Sequence, residues 1–187
     1  MLATVYSATV EGIHGRKIDI EVDATQGLPG MTIVGLPDTA VSEARERMRL
    51  ALRNAEVELP NKRFVLNLAP AEVRKIGTSF DLPMAVAILQ SLGSIEVSLE
   101  HRIIVGELAL DGTVRAAHGI LPIAAFAKNN GFTEIYVPAE NAQEASLVHD
   151  ITVYPVSSLS RWMRPSSEPV QTVPASCGEG AMVKSVA

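Results

Sequence analysis

A single cysteine, Cys177, stands among 187 residues, so no internal disulfide can form and nothing requires an oxidising compartment. That one thiol and four scattered histidines make a poor donor set for a metal. Aromatic side chains amount to 4%, which leaves valine, isoleucine, leucine and alanine to build the core. No apolar run approaches the ~18 residues a membrane helix needs. Residues 1–6 show neither the basic start nor the apolar stretch of a signal peptide. A cytoplasmic protein without membrane contact is expected. An excess of positive charge is absent as well. The formal net charge of -5 excludes coating of nucleic acid through bulk charge, while leaving room for a local basic patch.

What the chain does contain is apolar side chain in quantity. With 47% hydrophobic and 20% charged residues it is an ordinary globular sequence. Its length suits one domain, residues 1–164, followed by a tail. Lys17–Asp23 alternates apolar and charged residues with period two, the mark of a strand with one buried face. Strands are also expected at Ala3–Val10, Met31–Gly35, Phe64–Leu68, Ile103–Leu110, Thr113–Ala117, Ile135–Val137 and Ile151–Val156. Asp111-Gly112 supplies a hairpin turn. Helical periodicity runs from Pro37-Asp38 through Val41, Ala44, Met48, Ala51 and Ala55. Further helices are expected at Asp81–Leu92, Gly119–Asn129, Ala139–Val148 and about Ser158–Met163. Strands alternating with helices of 10–15 residues indicate a two-layer α/β (α+β) domain, a mixed sheet with helices packed on it. From Pro165 onward Ser, Pro, Glu and Gly dominate, so 165–187 is expected to be a flexible tail, and Cys177 inert within it.

Nucleotide chemistry finds no foothold. A phosphate-binding loop needs glycines followed by Lys-Ser/Thr at fixed spacing. The closest cluster, Gly27-Leu28-Pro29-Gly30, has no such step and leads into a strand. The segment Lys75-Ile76-Gly77-Thr78-Ser79-Phe80-Asp81-Leu82-Pro83 is more suggestive. Thr78, Ser79 and Asp81 are candidate helix caps. A serine at a glycine turn that opens a helix is also where an acyl-transfer nucleophile can sit. Capping is the commoner role.

Basic residues cluster between positions 38 and 75, where Arg45, Arg47, Arg49, Arg53, Lys62, Arg63, Arg74 and Lys75 face six acidic residues. Arg45, Arg49 and Arg53 recur every four residues and form one helical ridge. Glu43–Arg47 and Glu46–Arg49 can pair, which neutralises part of the charge. The set is either a solvated helix face or a surface for a DNA backbone or a neighbouring subunit. No aromatic residue interleaves with it, which argues against base stacking.

Gly35-Leu36-Pro37-Asp38, Asn67-Leu68-Ala69-Pro70-Ala71 and Gly77 with Phe80-Asp81-Leu82-Pro83 resemble the N-terminal domain of the ComM/YifB family. These are competence-associated AAA+ proteins related to magnesium chelatase. The segments 106–112 (Gly-Glu-Leu-Ala-Leu-Asp-Gly) and 137–142 (Val-Pro-Ala-Glu-Asn-Ala) continue the likeness, so it covers about residues 1–164. The resemblance implies a fold like the proteolytic domain of Lon and the second domain of ribosomal protein S5. It implies that a AAA+ ATPase module follows this domain in the complete proteins. It also implies a ring, a hexamer, that acts on branched DNA during natural transformation. ATP and magnesium would enter only through that module, and the chain itself would carry no cofactor. Nothing after residue 164 resembles such a module. A fragment or truncated gene product is therefore expected, with its own or a separate AAA+ ATPase and possible DNA contact as partners.

Lon-type proteases pair a serine nucleophile with a lysine. Matching Lys75–Met84 to the Lon nucleophile motif sets Ser79 at the serine position, and continuing through Gly112-Thr113-Val114 sets Leu121 at the lysine position. Leucine accepts no proton, and Lys128 falls about two turns further along the helix. A serine without a base is a poor nucleophile at neutral pH. The resemblance therefore implies an interaction domain without catalytic residues. Its alternatives are a peptidase using Ser79 with His118 and Asp111 or Asp81, and an accessory subunit acting in trans with a AAA+ ATPase.

Overall fold

The computed structural model describes residues 2–95 and 97–163. The expected tail, with Cys177, lies outside the described residues. Strand β1 (Ala3–Glu11) and strand β2 (His14–Thr25) form an antiparallel hairpin. On β2 the alternation read from the sequence holds, with Ile18, Ile20 and Val22 fully buried and Lys17, Asp19, Glu21 and Asp23 on the other face. Strands β3 (Gly30–Val34) and β4 (Arg63–Ala69) are parallel, and helix α1 (Thr39–Asn54) connects them. Helix α2 (Asp81–Ser91) and strand β5 (Arg102–Ile104) follow. A small hairpin comes next, strands β6 (Glu107–Leu108) and β7 (Val114–Arg115). Helix α3 (Ile120–Asn129), strand β8 (Glu134–Pro138), helix α4 (Ala142–Ala145) and strand β9 (Thr152–Val156) complete the domain, with a 3-10 turn at Leu159–Met163.

Seven strands make one mixed sheet in the order β3-β4-β2-β1-β5-β8-β9. The α/β class and the packing of helices on a mixed sheet match the expectation. The helices nevertheless divide between the two faces. α1 and α2 cover Val5, Ile18, Ile20 and Val22, while α3 covers Ala8, Ile103, Val105 and Ile135. The reason lies in β5 and β8. Ile103 and Ile104 are neighbours that point to opposite cores, and Tyr136 packs opposite Ile135 and Val137. Strands that are apolar on both sides need cover on both sides. α1 anchors by Val41, Ala44, Met48, Ala51 and Leu52, all at 0% exposure. Burial stabilises by roughly 1.5–3 kcal/mol for each large side chain of this kind.

Two expected elements break. Ile103–Leu110 is not one strand, because Gly106 leaves the ladder. Its N–H donates to the Ser79 carbonyl at 2.9 Å, and its carbonyl accepts from Leu82 N–H at 3.0 Å. A Cβ there would lie 2.9 Å from Val114 Cγ1, so only glycine fits between the hairpin and α2. The expected helix at Ala139–Val148 is a 3-10 turn followed by one turn of α-helix. Asn141 is held there by both polar groups of the Ala117 backbone, at 2.9 and 3.1 Å. No helix among the described residues is long and apolar enough to cross a membrane.

Candidate functional site

The loop from Lys75 to Phe80 is fastened from three directions. Asp38 caps α1 through Oδ1, which accepts from Val41 N–H at 2.8 Å, and its Oδ2 accepts from Gly77 N–H at 3.1 Å. Asp38 N–H donates to the Lys75 carbonyl at 3.1 Å. The Thr78 hydroxyl donates to Glu107 Oε2 on β6. Gly77 takes φ +87°, a left-handed conformation that glycine adopts without penalty.

Ser79 lies between these anchors and the start of α2, half-buried. It caps nothing, contrary to the capping role considered for it. Thr78 and Asp81 do not cap either. The first-turn donors of α2 are already occupied, since Asp81 N–H reaches the Thr78 carbonyl, Leu82 N–H reaches Gly106, and Pro83 has no N–H. Among the described residues no side chain is hydrogen-bonded to the Ser79 hydroxyl. Leu121 stands in the first turn of α3, with its N–H donating to Glu144 Oε1 at 2.9 Å. Lys128 pairs with Asp150 at 3.0 Å. His118 is exposed and forms no hydrogen bond with another described residue. Asp111 accepts from the N–H and hydroxyl of Thr113 in the turn of the small hairpin, which pulls its carboxyl below the usual range. Asp81 is bound to Arg47. The structure therefore does not assemble Ser79, His118 and either aspartate into a hydrogen-bonded chain.

The strongest electrostatic feature beside Ser79 is one that the sequence reading missed. Arg47 Nε donates to Asp81 Oδ2 at 2.7 Å, and a terminal nitrogen donates to Oδ1 at 3.2 Å. This two-pronged geometry is the strong form of a charge-assisted bond. Asp81 has no exposed surface. Burial pushes its carboxyl up to about 6, against the downward pull of Arg47, while the bond to Asp81 raises Arg47 above its ordinary value. The Ala40 carbonyl takes a further guanidinium N–H at 2.8 Å. The available signal was position, for Arg47 falls on the inward stripe of α1 with Ala44, Met48 and Ala51. The expected Glu43 contact exists at 4.0 Å, but it is the weaker one.

The basic residues do not form one patch. Arg45, Arg49 and Arg53 line the outer side of α1 and are exposed, with Arg49 near Glu46 at 3.9 Å, as expected. Lys62 and Arg63 are exposed where β4 begins, just after the C-terminal end of α1. Arg74 is exposed but follows the far end of β4, beside the start of α1. Lys75 is withdrawn from the surface altogether. It has 0% exposure, its amine donates to the Pro70 carbonyl, and burial lowers its pKa. A fully buried amine cannot meet a phosphate, so Lys75 leaves the candidate set. Near the ridge, a cleft of about 520 Å³ is lined by Arg49 and Arg53 together with Glu56 and Glu58. Among the described residues no three His, Cys, Asp or Glu side chains converge as a metal site would require.

Residues 20–141 match the family described as subunit ChlI of Mg-chelatase. Competence protein ComM of Haemophilus influenzae is 44% identical over 154 residues, 82% of this chain and 30% of ComM. YifB of Salmonella typhimurium is 44% identical over 148 residues, 79% of this chain and 29% of YifB. An uncharacterized protein of Mycobacterium tuberculosis is 41% identical over 170 residues, 89% of this chain and 34% of its own length. The chain thus spans about a third of the length of these relatives. The family match takes in well over half of the chain, and the relatives are similar over most of it: the chain belongs to the family of the magnesium-chelatase subunit ChlI.

Proposed function

We propose that this chain is a non-catalytic interaction domain that works with a AAA+ ATPase module, its own or a separate one, in the processing of DNA. The observation that carries the reading is the chemistry around Ser79. Its hydroxyl has no basic partner among the described residues, and a leucine stands where the resemblance to Lon would set a lysine. Without a proton acceptor the hydroxyl stays protonated and weakly nucleophilic. A serine-reactive fluorophosphonate is expected to leave the purified chain unlabelled, and Ser79→Ala is expected to change nothing. Labelling that is lost in Ser79→Ala would overturn the assignment and favour a peptidase. ATP hydrolysis by the purified chain is expected to be nil.

The link to DNA is supported by the name of the competence protein among the relatives and by the exposed ridge on α1. Arg45, Arg49 and Arg53, with Lys62 and Arg63 beyond the helix end, would touch phosphates rather than bases, so binding would ignore sequence. Replacing Arg45, Arg49 and Arg53 together by alanine is expected to weaken duplex binding uniformly. The slope of log K against log salt is expected to flatten by about three, since each phosphate contact contributes roughly 0.9. An unchanged slope in a salt titration would remove the ridge from the DNA surface. Co-purification with a AAA+ protein in place of DNA binding would single out the accessory role.

A further inference from the structure

Helix α1 and strand β2 turn opposite charges to the solvent on opposite sides of the molecule. On α1, Arg45, Arg49 and Arg53 follow one another down the outer side, all exposed. Arg49 stands near Glu46 at 3.9 Å, whereas Arg45 and Arg53 form no ion pair with another described residue. On β2, Asp19, Glu21 and Asp23 occupy alternate positions of the face turned away from α1. Asp19 pairs with Lys17 at 3.0 Å, and Glu21 accepts from Asn67 at 2.8 Å. Asp23 is exposed and has no ion-pair partner among the described residues. Each set thus holds three charges of one sign beside a single neighbour of the other sign. The ridge is positive and the strand is negative.

The negative face is also only half covered. α3 packs over β1, β5 and β8, and it meets β2 at Gly15, where an added Cβ would lie 2.3 Å from Phe126. No helix among the described residues packs on this side of β4 or β3. Val65 of β4, opposite Asp23, belongs to neither core, and Val34 of β3 is 41% exposed. Beside Asp19 the bare face opens into a cleft of about 840 Å³ between α3 and the segment 69–73. A sheet face with apolar residues in it ordinarily carries a layer of helix. The spacing of charges says which helix fits. Arginines four apart on a helix rise about 6.0 Å per step, and carboxylates two apart on a strand about 6.6 Å. Over three charges the two ladders drift apart by about 1.2 Å, so all three pairs can meet at once. As the crossover between parallel β3 and β4, α1 runs along the strand direction. A shift of one copy onto the next therefore brings ridge to strand without a large rotation.

We infer that the bare half of the sheet takes the α1 ridge of a second copy of this chain, in a head-to-tail contact between Arg45, Arg49 and Arg53 of one copy and Asp19, Glu21 and Asp23 of the next. An interface between unlike faces does not close at two copies, and it propagates into a ring or an open file. The inference goes beyond the function proposed above and shares only the ridge with it. A ridge seated on a neighbour cannot also hold phosphates, so neighbour and duplex exclude each other. The test is sedimentation equilibrium of the intact chain at low salt. The apparent mass is expected to climb with concentration past twice 20.0 kDa, and to fall back when salt shortens the reach of the charges. Arg45→Glu with Arg49→Glu makes both faces negative, and Glu21→Lys with Asp23→Lys makes both positive. Each double variant alone is expected to associate about tenfold or more weakly, because like charges are apposed. Mixing the two is expected to restore association in alternating order. Asp23→Lys alone probes the same face at an exposed residue, and circular dichroism verifies that each variant is folded. The strand variant is expected to keep duplex binding, and added duplex to disperse the intact chain. A mass that stays at 20.0 kDa, or stops at twice that value, would overturn the inference. So would a mixture that fails to associate. If the ridge variant lost duplex binding and still assembled, this contact would fall while the DNA reading stood.

Discussion

Replacing Arg47 by methionine is expected to destabilise the domain by about 3–5 kcal/mol, the usual effect of stranding one member of a buried ion pair. Methionine keeps most of the apolar stem of arginine, so little packing is lost with the charge. What remains is the Asp81 carboxylate, with no exposed surface and its two guanidinium bonds gone. For a domain of this size the change corresponds to a fall of roughly 10 °C in the melting temperature. The pH dependence carries a second signature. In the intact protein burial holds the Asp81 carboxyl up to about 6, above the ~3.9 of an unfolded chain. Between those values the folded state keeps a proton that the unfolded state has released, so stability falls as pH rises through the window and levels off above it. Removing Arg47 removes the pull that opposes burial, so the window moves upward. The variant should therefore recover most on acidification, where Asp81 can be neutral. Thermal melts of both proteins at a series of pH values verify this. Equal losses at pH 5 and pH 8 would show that the pair is not what holds α1 to α2.

Gly35→Ala is expected to be nearly as damaging, for a steric reason. Gly35 has φ +102°, and a Cβ there would lie 2.1 Å from the Leu68 carbonyl oxygen and 2.9 Å from its carbon. That carbonyl belongs to β4, which is paired to strands on both sides, so it cannot retreat without loosening the sheet. Strain and overpacking each contribute about 1–3 kcal/mol, giving about 3 kcal/mol or more together. Gly77→Ala is the control. Its φ is +87°, yet nothing lies within 4 Å of the added carbon, leaving only the left-handed penalty of about 1–2 kcal/mol. Chemical denaturation of the two variants separates the contributions. Similar midpoints for both would show that the close approach at Leu68 has no energetic weight.

Much of the fold was legible because single elements announce themselves locally. The charged and apolar alternation of Lys17–Asp23 fixes which face of β2 is buried, and the stripe from Val41 to Ala51 fixes how α1 sits. What was not legible depended on partners far along the chain. Nothing near Gly106 signals that its backbone is claimed by Ser79 and Leu82, so the apolar run has the pattern of an unbroken strand. Arg47 looked like another surface cation because its acceptor, Asp81, lies 34 residues away. In sequence Lys75 belongs with the exposed cations, although its amine turns inward to the carbonyl of Pro70 and the packed loop buries it. The candidate caps at Thr78, Ser79 and Asp81 failed because the donors they would have served were already taken by backbone carbonyls. Local pattern found the elements, whereas long-range hydrogen bonding decided the chemistry of the site.

The two oxygens of Asp38 serve different masters, one closing the first turn of α1 and the other gripping the amide of Gly77. The early motif and the serine loop are therefore a single mechanical joint distributed over two distant stretches of sequence. A chimera spliced between relatives anywhere from residue 39 to residue 76 parts the two halves of that joint. It keeps its shape only when the upstream parent brings an acceptor and the downstream parent brings a turn that exposes the matching amide.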